Sequence, residues 1–260
     1  MSEELDLAAA LAFAEQLADR ARAMARAGFR TRLEIELKAD GSPVTEIDRG
    51  IEAALRDMIR ERYPRHAIRG EEFGVEGRGD FSWIIDPIDG TKSYVSGFPL
   101  FGSLIALLSG DAPVLGVLEA PALAERWVGL RGRPTLFNGT PAAVSSCAAL
   151  ERAVLYTTSA ELFDPRDRAA FERVAARCAL RRYGGDCYLY GLLASGHCDL
   201  VIESRLKPHD FMALIPVVEG AGGRISDWRG RSLGSDSDGR VVAAATEILW
   251  HKALEVLGAN

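Results

Sequence analysis

Apolar side chains at Leu7, Leu11, Ala14, Ala18, Ala21 and Ala25 recur at the three-and-four spacing of an amphipathic helix over Leu5–Gly28, and Gly28 is a natural stop. The period then drops to two. Phe29, Thr31, Leu33, Ile35 and Leu37 interleave with Arg30, Arg32, Glu34, Glu36 and Lys38, which predicts a half-buried strand. A turn at Asp40-Gly41-Ser42-Pro43 leads to Thr45, whose hydroxyl suits an N-cap. A second helix follows through Ile47, Ile51, Leu55 and Ile59 until Pro64 ends it. Short apolar runs bounded by turn residues then read as strands at His66–Ile68, Trp83–Ile85, Ser103–Leu108, Val114–Glu119 and Arg126–Leu130, an antiparallel sheet backed by the two helices. From about Leu136 the order becomes strand (Val154–Thr157), helix (Pro165–Cys178), short strand, helix (Asp186–Ser195), strand (Leu200–Glu203) and helix (Phe211–Ala221). The expectation is an α+β chain of two halves, 1–135 and 136–260, packed as one unit with a boundary near residues 131–140.

With 260 residues, 48% hydrophobic and 26% charged, the chain can bury a large core, and disorder is not expected. Its 37 acidic and 31 basic residues give a net charge of -6, so no global positive field gathers nucleic acid or an anionic membrane. An anionic ligand would need local cations, and for a phosphate that suggests metal ions. The start, Met1-Ser2-Glu3-Glu4, is acidic where a secretory signal is basic. The longest apolar run, near Leu104–Leu108, is far too short to span a bilayer, and the expected location is cytoplasmic. Cys147, Cys178, Cys187 and Cys198 show neither CxxC pairing nor zinc-ligand spacing and read as reduced thiols. His66, His197, His209 and His251 are scattered, which gives a histidine-based metal site or nucleophile little support. The glycines at Gly220–Gly223 lack a preceding strand and read as a helix C-terminus rather than a dinucleotide fingerprint.

The chemistry concentrates in Trp83-Ile84-Ile85-Asp86-Pro87-Ile88-Asp89-Gly90-Thr91, where an apolar strand runs into two carboxylates and a Gly-Thr step. Pro87 fixes a turn at the strand's exit after Ile85, so that Asp86 and Asp89 can converge, while Gly90 and Thr91 lie where N–H groups at a helix start can hold phosphate oxygens. Two hard carboxylates beside an oxyanion pocket suit Mg²⁺. Taken alone, such a pair is more often a capped turn with solvated aspartates. Gly70-Glu71-Glu72, after the strand at His66–Ile68, puts further carboxylate at a second strand exit.

In order along the chain, Pro43-Val44-Thr45-Glu46-Ile47-Asp48, Glu71-Glu72, Asp86-Pro87-Ile88-Asp89-Gly90-Thr91, and Pro208-His209-Asp210 followed by Glu219-Gly220-Ala221-Gly222-Gly223 resemble the signature of the inositol monophosphatase-like superfamily. The resemblance spans almost the whole chain. It implies a layered α/β/α/β/α sandwich, Mg²⁺-dependent hydrolysis of a small phosphate monoester, and a homodimer. By that resemblance Glu71, Asp86, Asp89, Asp210 and the carbonyl of Ile88 bind metal. Thr91 and Asp48 orient or deprotonate the attacking water, with Glu71 also at the catalytic centre, and Gly90 and Thr91 contact the substrate. Glu72 reads as a supporting or exposed neighbour. Lys38 resembles a lysine that precedes the Pro-Val-Thr segment, through a loose alignment. Metal-activated water would attack in line, so no Ser, Cys or His nucleophile is required.

The shared motif leaves the alcohol open. Where inositol enzymes resemble Gly-x-Ala-Ala, this chain has Gly184-Gly185-Asp186-Cys187-Tyr188, and Glu203 lies seven residues before Asp210. Asp186 and Glu203 together suit a cationic leaving group, and the segment looks most like the histidinol-phosphatase branch. Asp186 also reads as a helix N-cap. Arg205 and His209 stand where relatives usually have glycine and Tyr or Trp, and Arg205 would favour a second phosphate. An inositol-1-phosphatase, a phosphatase of broad specificity and a catalytically idle phosphate-binding protein are the rival readings.

Overall fold

The computed structural model describes residues 5–39 and 41–258. Met1–Glu4 and Asp40 of the expected turn lie outside the described residues. Helix α1 (Leu7–Gly28) starts where the Asp6 carboxylate accepts the N–H groups of Ala8 and Ala9, and buries a face of Ala10, Phe13, Ala14, Leu17, Ala18, Ala21 and Ala25. The alternating segment that follows is not the strand its period predicts. Only β1 (Ile35–Leu37) is extended, all of it exposed, in a two-stranded ribbon with β2 (Pro43–Thr45). Tertiary contacts override the pattern, because the Phe29 ring packs on Tyr94 and Phe101 and Arg30 turns the chain at φ 60°. Helix α2 (Glu46–Arg62) begins at the expected Thr45, which forms a capping box with Asp48.

The next elements are β3 (Ala67–Gly70), β4 (Gly74–Glu76), β5 (Phe81–Asp89), α3 (Thr91–Val95), β6 (Gly102–Ser109), β7 (Ala112–Ala120), β8 (Glu125–Leu130), β9 (Leu136–Phe137) and β10 (Thr140–Pro141). They build an eight-stranded sheet in the order β10-β9-β8-β7-β6-β5-β3-β4. Every pair is antiparallel, as expected, except β3 with β5. β4 folds back along the outer edge of β3, so the chain re-enters on the other side of β3 running the same way. That puts the C-terminal ends of β3 and β5 side by side.

The remaining elements are β11 (Val154–Thr157), α4 (Pro165–Ala175), β12 (Leu180–Tyr183), α5 (Tyr188–Ala194), β13 (Leu200–Glu203), α6 (Pro208–Phe211), α7 (Leu214–Gly220), β14 (Arg224–Ser226), β15 (Val241–Ala244) and α8 (Glu247–Gly258). The second sheet runs β12-β11-β13-β15-β14. The helix expected over Phe211–Ala221 is divided into α6 and α7. Pro216 has no N–H to give the carbonyl of Met212, so a continuous helix would lose a bond there.

Three apolar zones glue five layers together. α1 and α2 pack through Leu17, Ile51, Leu55 and Ile59 on one face of the large sheet. α5 and α7 fill the space between its other face, with Leu104, Leu118 and Trp127, and the small sheet, with Val201 and Val241. α4 and α8 cover the outer face of the small sheet around Phe171, Leu249 and Trp250. This is the expected α/β/α/β/α sandwich, and the ends of β3, β5 and β13 open into one cleft.

Candidate active site

Parallel pairing sets Gly70 beside Ile85, and the Glu71 N–H donates to the Ile85 carbonyl at 3.2 Å, so Glu71 emerges next to Asp86. The loop is held from below by the buried Glu52, which accepts from Arg56 and from the N–H groups of Glu72 and Phe73. A Cβ on Gly70 would lie 1.9 Å from Glu52 Oε1, so glycine is required at this close approach.

Asp86 and Asp89 are three residues apart, a spacing that puts side chains on opposite faces of a regular strand. β5 solves this with a bulge. Asp86 faces Leu104 and Asp89 faces Gly102, so three steps on β5 match two on β6, and Ser103 Oγ donates to the Pro87 carbonyl in between. Pro87 therefore lies inside a strand that runs on to Asp89, rather than in the turn expected after Ile85. Asp210 arrives from the other half, in the first turn of α6, where its Oδ2 accepts the Lys207 N–H at 2.7 Å.

Two triads result, Asp86–Asp89–Asp210 and Glu71–Asp86–His209, each with ligand atoms within 4.8 Å of one another. Asp86 is 1% exposed, and its Oδ1 has no hydrogen-bond donor among the described residues. Burial first, and repulsion from Glu71, Asp89 and Asp210 second, raises Asp86 well above the usual carboxylate range. Burial likewise raises Asp89, with Asp186 adding to it, and Asp210. An orphaned buried carboxylate oxygen amid crowded carboxylates fits a divalent cation, which reverses this penalty.

Thr91 Oγ1 lies 3.0 Å from the Ile88 carbonyl and 3.3 Å from Asp48 Oδ1. Its single proton can serve only one acceptor at a time. Asp48 is fully buried, its other oxygen is held by the Thr45 N–H and hydroxyl, and burial raises its pKa. Gly90 adopts φ 85°, and a Cβ there would meet Asp186 Oδ2 at 2.8 Å. Asp186 does not cap α5. The N-cap is Cys187, without a side-chain bond, and Asp186 instead accepts the Ser93 hydroxyl at 3.0 Å, with burial moving its pKa up to about 6. Asp89 accepts the Cys187 N–H from the same loop. Glu203, at the end of β13, accepts from Thr158 N, Thr158 Oγ1 and Thr157 Oγ1, and burial lifts it to about 7.

Glu71, Asp89, Gly90, Thr91, Asp186, Glu203, Arg205 and Asp210 all line one cleft of about 570 Å³, whereas Asp48, Asp86 and Ile88 are buried behind it. Arg205 is exposed on the rim with φ 65°. Lys38 bridges Glu71 at 2.7 Å and Glu72 at 2.6 Å. Burial opposes the Lys38 charge, but the two glutamates outweigh it and raise the ammonium pKa. Glu72 is thus tied into the site. Two contributors escaped the sequence reading: Ser93 as partner of Asp186, and Tyr190, whose buried hydroxyl has no partner among the described residues and which lines the cleft, while His209, read only as a departure from relatives, sets its imidazole beside Glu71 and Asp86. A tyrosine on the buried face of α5 looks in sequence like any core aromatic, and only the fold shows it at the cleft wall.

Residues 6–258 match the inositol monophosphatase family. The chain is 47% identical to a bifunctional phosphatase IMPL2, chloroplastic, of Arabidopsis thaliana, over 98% of this chain and 76% of the relative. It is 39% identical to a histidinol-phosphatase of Chlorobaculum parvum, over 90% and 91% of the two chains. The fold superposes on an inositol monophosphatase from Zymomonas mobilis with a TM-score of 0.90 at 43% identity, over 98% of this chain and all (100%) of that one. Among the described residues no helix is long and apolar enough to cross a membrane. Signature, cleft and kinship agree: the chain belongs to the inositol monophosphatase family and is a phosphatase of that family.

Proposed function

We propose that this phosphatase is Mg²⁺-dependent and acts on histidinol phosphate, releasing histidinol and inorganic phosphate. The observation that carries the substrate reading is the pair of carboxylates, Glu203 buried and Asp186 half-buried, in the cleft that also holds Thr91 beside the metal-type triads. A cationic leaving group compensates both, whereas an uncharged polyol leaves one poorly matched. Relatives named histidinol-phosphatase support the same reading.

Glu71, Asp86, Asp89, Asp210 and the Ile88 carbonyl would hold the ions. Bound there, divalent cations supply a water acidic enough to attack near neutral pH and charge compensation for the phosphate. The chain's own residues do the rest. Asp48 is fixed through one oxygen by Thr45, which leaves Oδ1 free to draw the Thr91 proton. Thr91 Oγ1 then accepts the proton of the attacking water and passes its own to Asp48. The first turn of α3 leaves the N–H groups of Thr91 and Lys92 without intrahelical acceptors, and these receive phosphate oxygens. Asp186 and Glu203 orient the cationic end of the alcohol.

The test compares phosphate release from histidinol phosphate, inositol 1-phosphate and a fructose bisphosphate. Excess chelator should abolish it and Mg²⁺ restore it. Asp186→Asn should lower kcat/KM for histidinol phosphate by about tenfold to a hundredfold, the worth of one charge-assisted bond, and leave uncharged alcohols nearly unaffected. A uniform loss over all substrates would refute the role of Asp186 in specificity. The exposed Arg205 at the rim favours a second reading, in which a further phosphate binds there and the bisphosphate is the better substrate.

A further inference from the structure

We propose that the hydroxyl of Tyr190 donates a hydrogen bond to the oxygen of the leaving alcohol, and that this donor serves catalysis at a cost to the stability of the fold. The inference rests on the reading above, in which Asp186 and Glu203 hold the alcohol, and adds the group that faces the breaking bond.

Tyr190 lies on the buried face of α5 with Leu189 and Leu193 and is 2% exposed. Its ring is packed in the apolar zone between the two sheets, so the hydroxyl cannot swing out to water. It nonetheless lines the cleft, and its oxygen has no hydrogen-bond partner among the described residues. A buried hydroxyl in that state carries an uncompensated desolvation cost, which phenylalanine, one oxygen smaller, would avoid. Packing alone therefore does not account for the oxygen. The charges that act on it come from both ends of the cleft: Glu203 from the alcohol end, and Asp89 and Asp210 from the metal-type triad. The ester bond of a bound substrate joins those ends, which sets the phenol opposite the bridging oxygen. Burial first and these carboxylates second push the phenol well above its ordinary range, so it stays protonated and acts as a donor. As the P–O bond breaks, the bonding pair stays on the alcohol oxygen. The hydrogen bond from the phenol strengthens as that charge grows, and a water molecule supplies the proton that completes the alcohol, so Tyr190 keeps its own.

Steady-state kinetics and thermal melts of Tyr190→Phe test this on two esters. One is the alkyl phosphate that the wild type hydrolyses best among histidinol phosphate, inositol 1-phosphate and a fructose bisphosphate; the other is p-nitrophenyl phosphate, whose leaving group departs without a donor. The variant should lose about tenfold to a hundredfold in kcat on the alkyl ester, with KM changed by less than about threefold, and should lose less than about threefold on the aryl ester. It should also melt at or above the wild type, since the buried oxygen is gone. An unchanged kcat, an equal loss on both esters, or a loss confined to KM would overturn the inference. So would a clearly lower melting temperature, which would show that the hydroxyl supports the fold. If the wild type leaves the aryl ester untouched, the split between kcat and KM and the melt decide. If histidinol phosphate is not the best alkyl ester, the substrate reading fails and the role of Tyr190 is decided on the ester that is. A wild type that hydrolyses none of them would overturn both.

Discussion

Glu203 shows how one side chain can be held by several donors and still carry a penalty. Three donors from Thr157 and Thr158 hold its carboxylate at the end of β13, yet burial outweighs them and the pKa rises from 4.5 to about 7. The folded chain thus binds this proton more tightly than the unfolded one. The stability it contributes is complete below about pH 4.5 and is lost as the pH climbs through about 7, on the order of 3 kcal/mol in all. Glu203→Gln has no such proton. In denaturant unfolding of chelator-treated protein, the wild type should therefore lose about 2–3 kcal/mol relative to the variant between about pH 5 and about pH 8. Parallel stability curves over that window would show that Glu203 is ionised throughout.

At the scale of elements, close backbone packing between layers decides where side chains are tolerated. Gly116 in β7 faces α7 so closely that a Cβ would lie 2.0 Å from the Ala213 carbonyl oxygen, an atom with no rotamer to escape into. Gly116→Ala should cost at least about 1–3 kcal/mol and lower Tm by several degrees. Gly50 on α2 meets only the Met24 tip at 3.5 Å, and Gly50→Ala should raise Tm, because alanine is the better helix former by roughly 1 kcal/mol. A melt in which both changes act in the same direction would contradict this account. The elements themselves were largely legible where one force dominates. Period and capping marked α1, α2 and the Thr45 cap, and apolar runs marked β11 and β13 to the residue. Legibility failed where a distant partner decides: Phe29 drawn to Tyr94 and Phe101, the chain breaking between α6 and α7, and β5 entering parallel to β3. The site divides the same way. The positions of Asp86 and Asp89 could be read from their motif, but strand period alone sets them on opposite faces, and the bulge that unites them depends on pairing with β6.

The whole molecule is joined across the cleft by the residues proposed to do the chemistry. Glu71, Asp86 and Asp89 come from the large sheet and Asp210 from α6, which follows β13 of the small sheet, and Asp186 reaches Ser93 from the opposite side. Carboxylates from both halves therefore crowd one buried place in a chain whose net charge is already -6. Without a cation, this crowding works against the packing of α5 and α7 between the sheets. A bound ion converts it into a tie between the halves. At a hundred times its dissociation constant, an ion adds about 2.7 kcal/mol to the unfolding free energy, if it binds only the folded chain. Asp210→Asn separates the two effects, because asparagine still offers an oxygen to the Lys207 N–H but removes one charge. In chelator, the variant should melt at or above the wild type, since a buried repulsion is relieved. At saturating Mg²⁺ the order should invert, because the wild type gains several degrees and the variant little. The crossing of the two melting temperatures is the signature. An equal rise in both proteins would mean that Asp210 does not hold the ion, and a variant that melts lower under both conditions would mean that its carboxylate supports α6 more than it repels its neighbours.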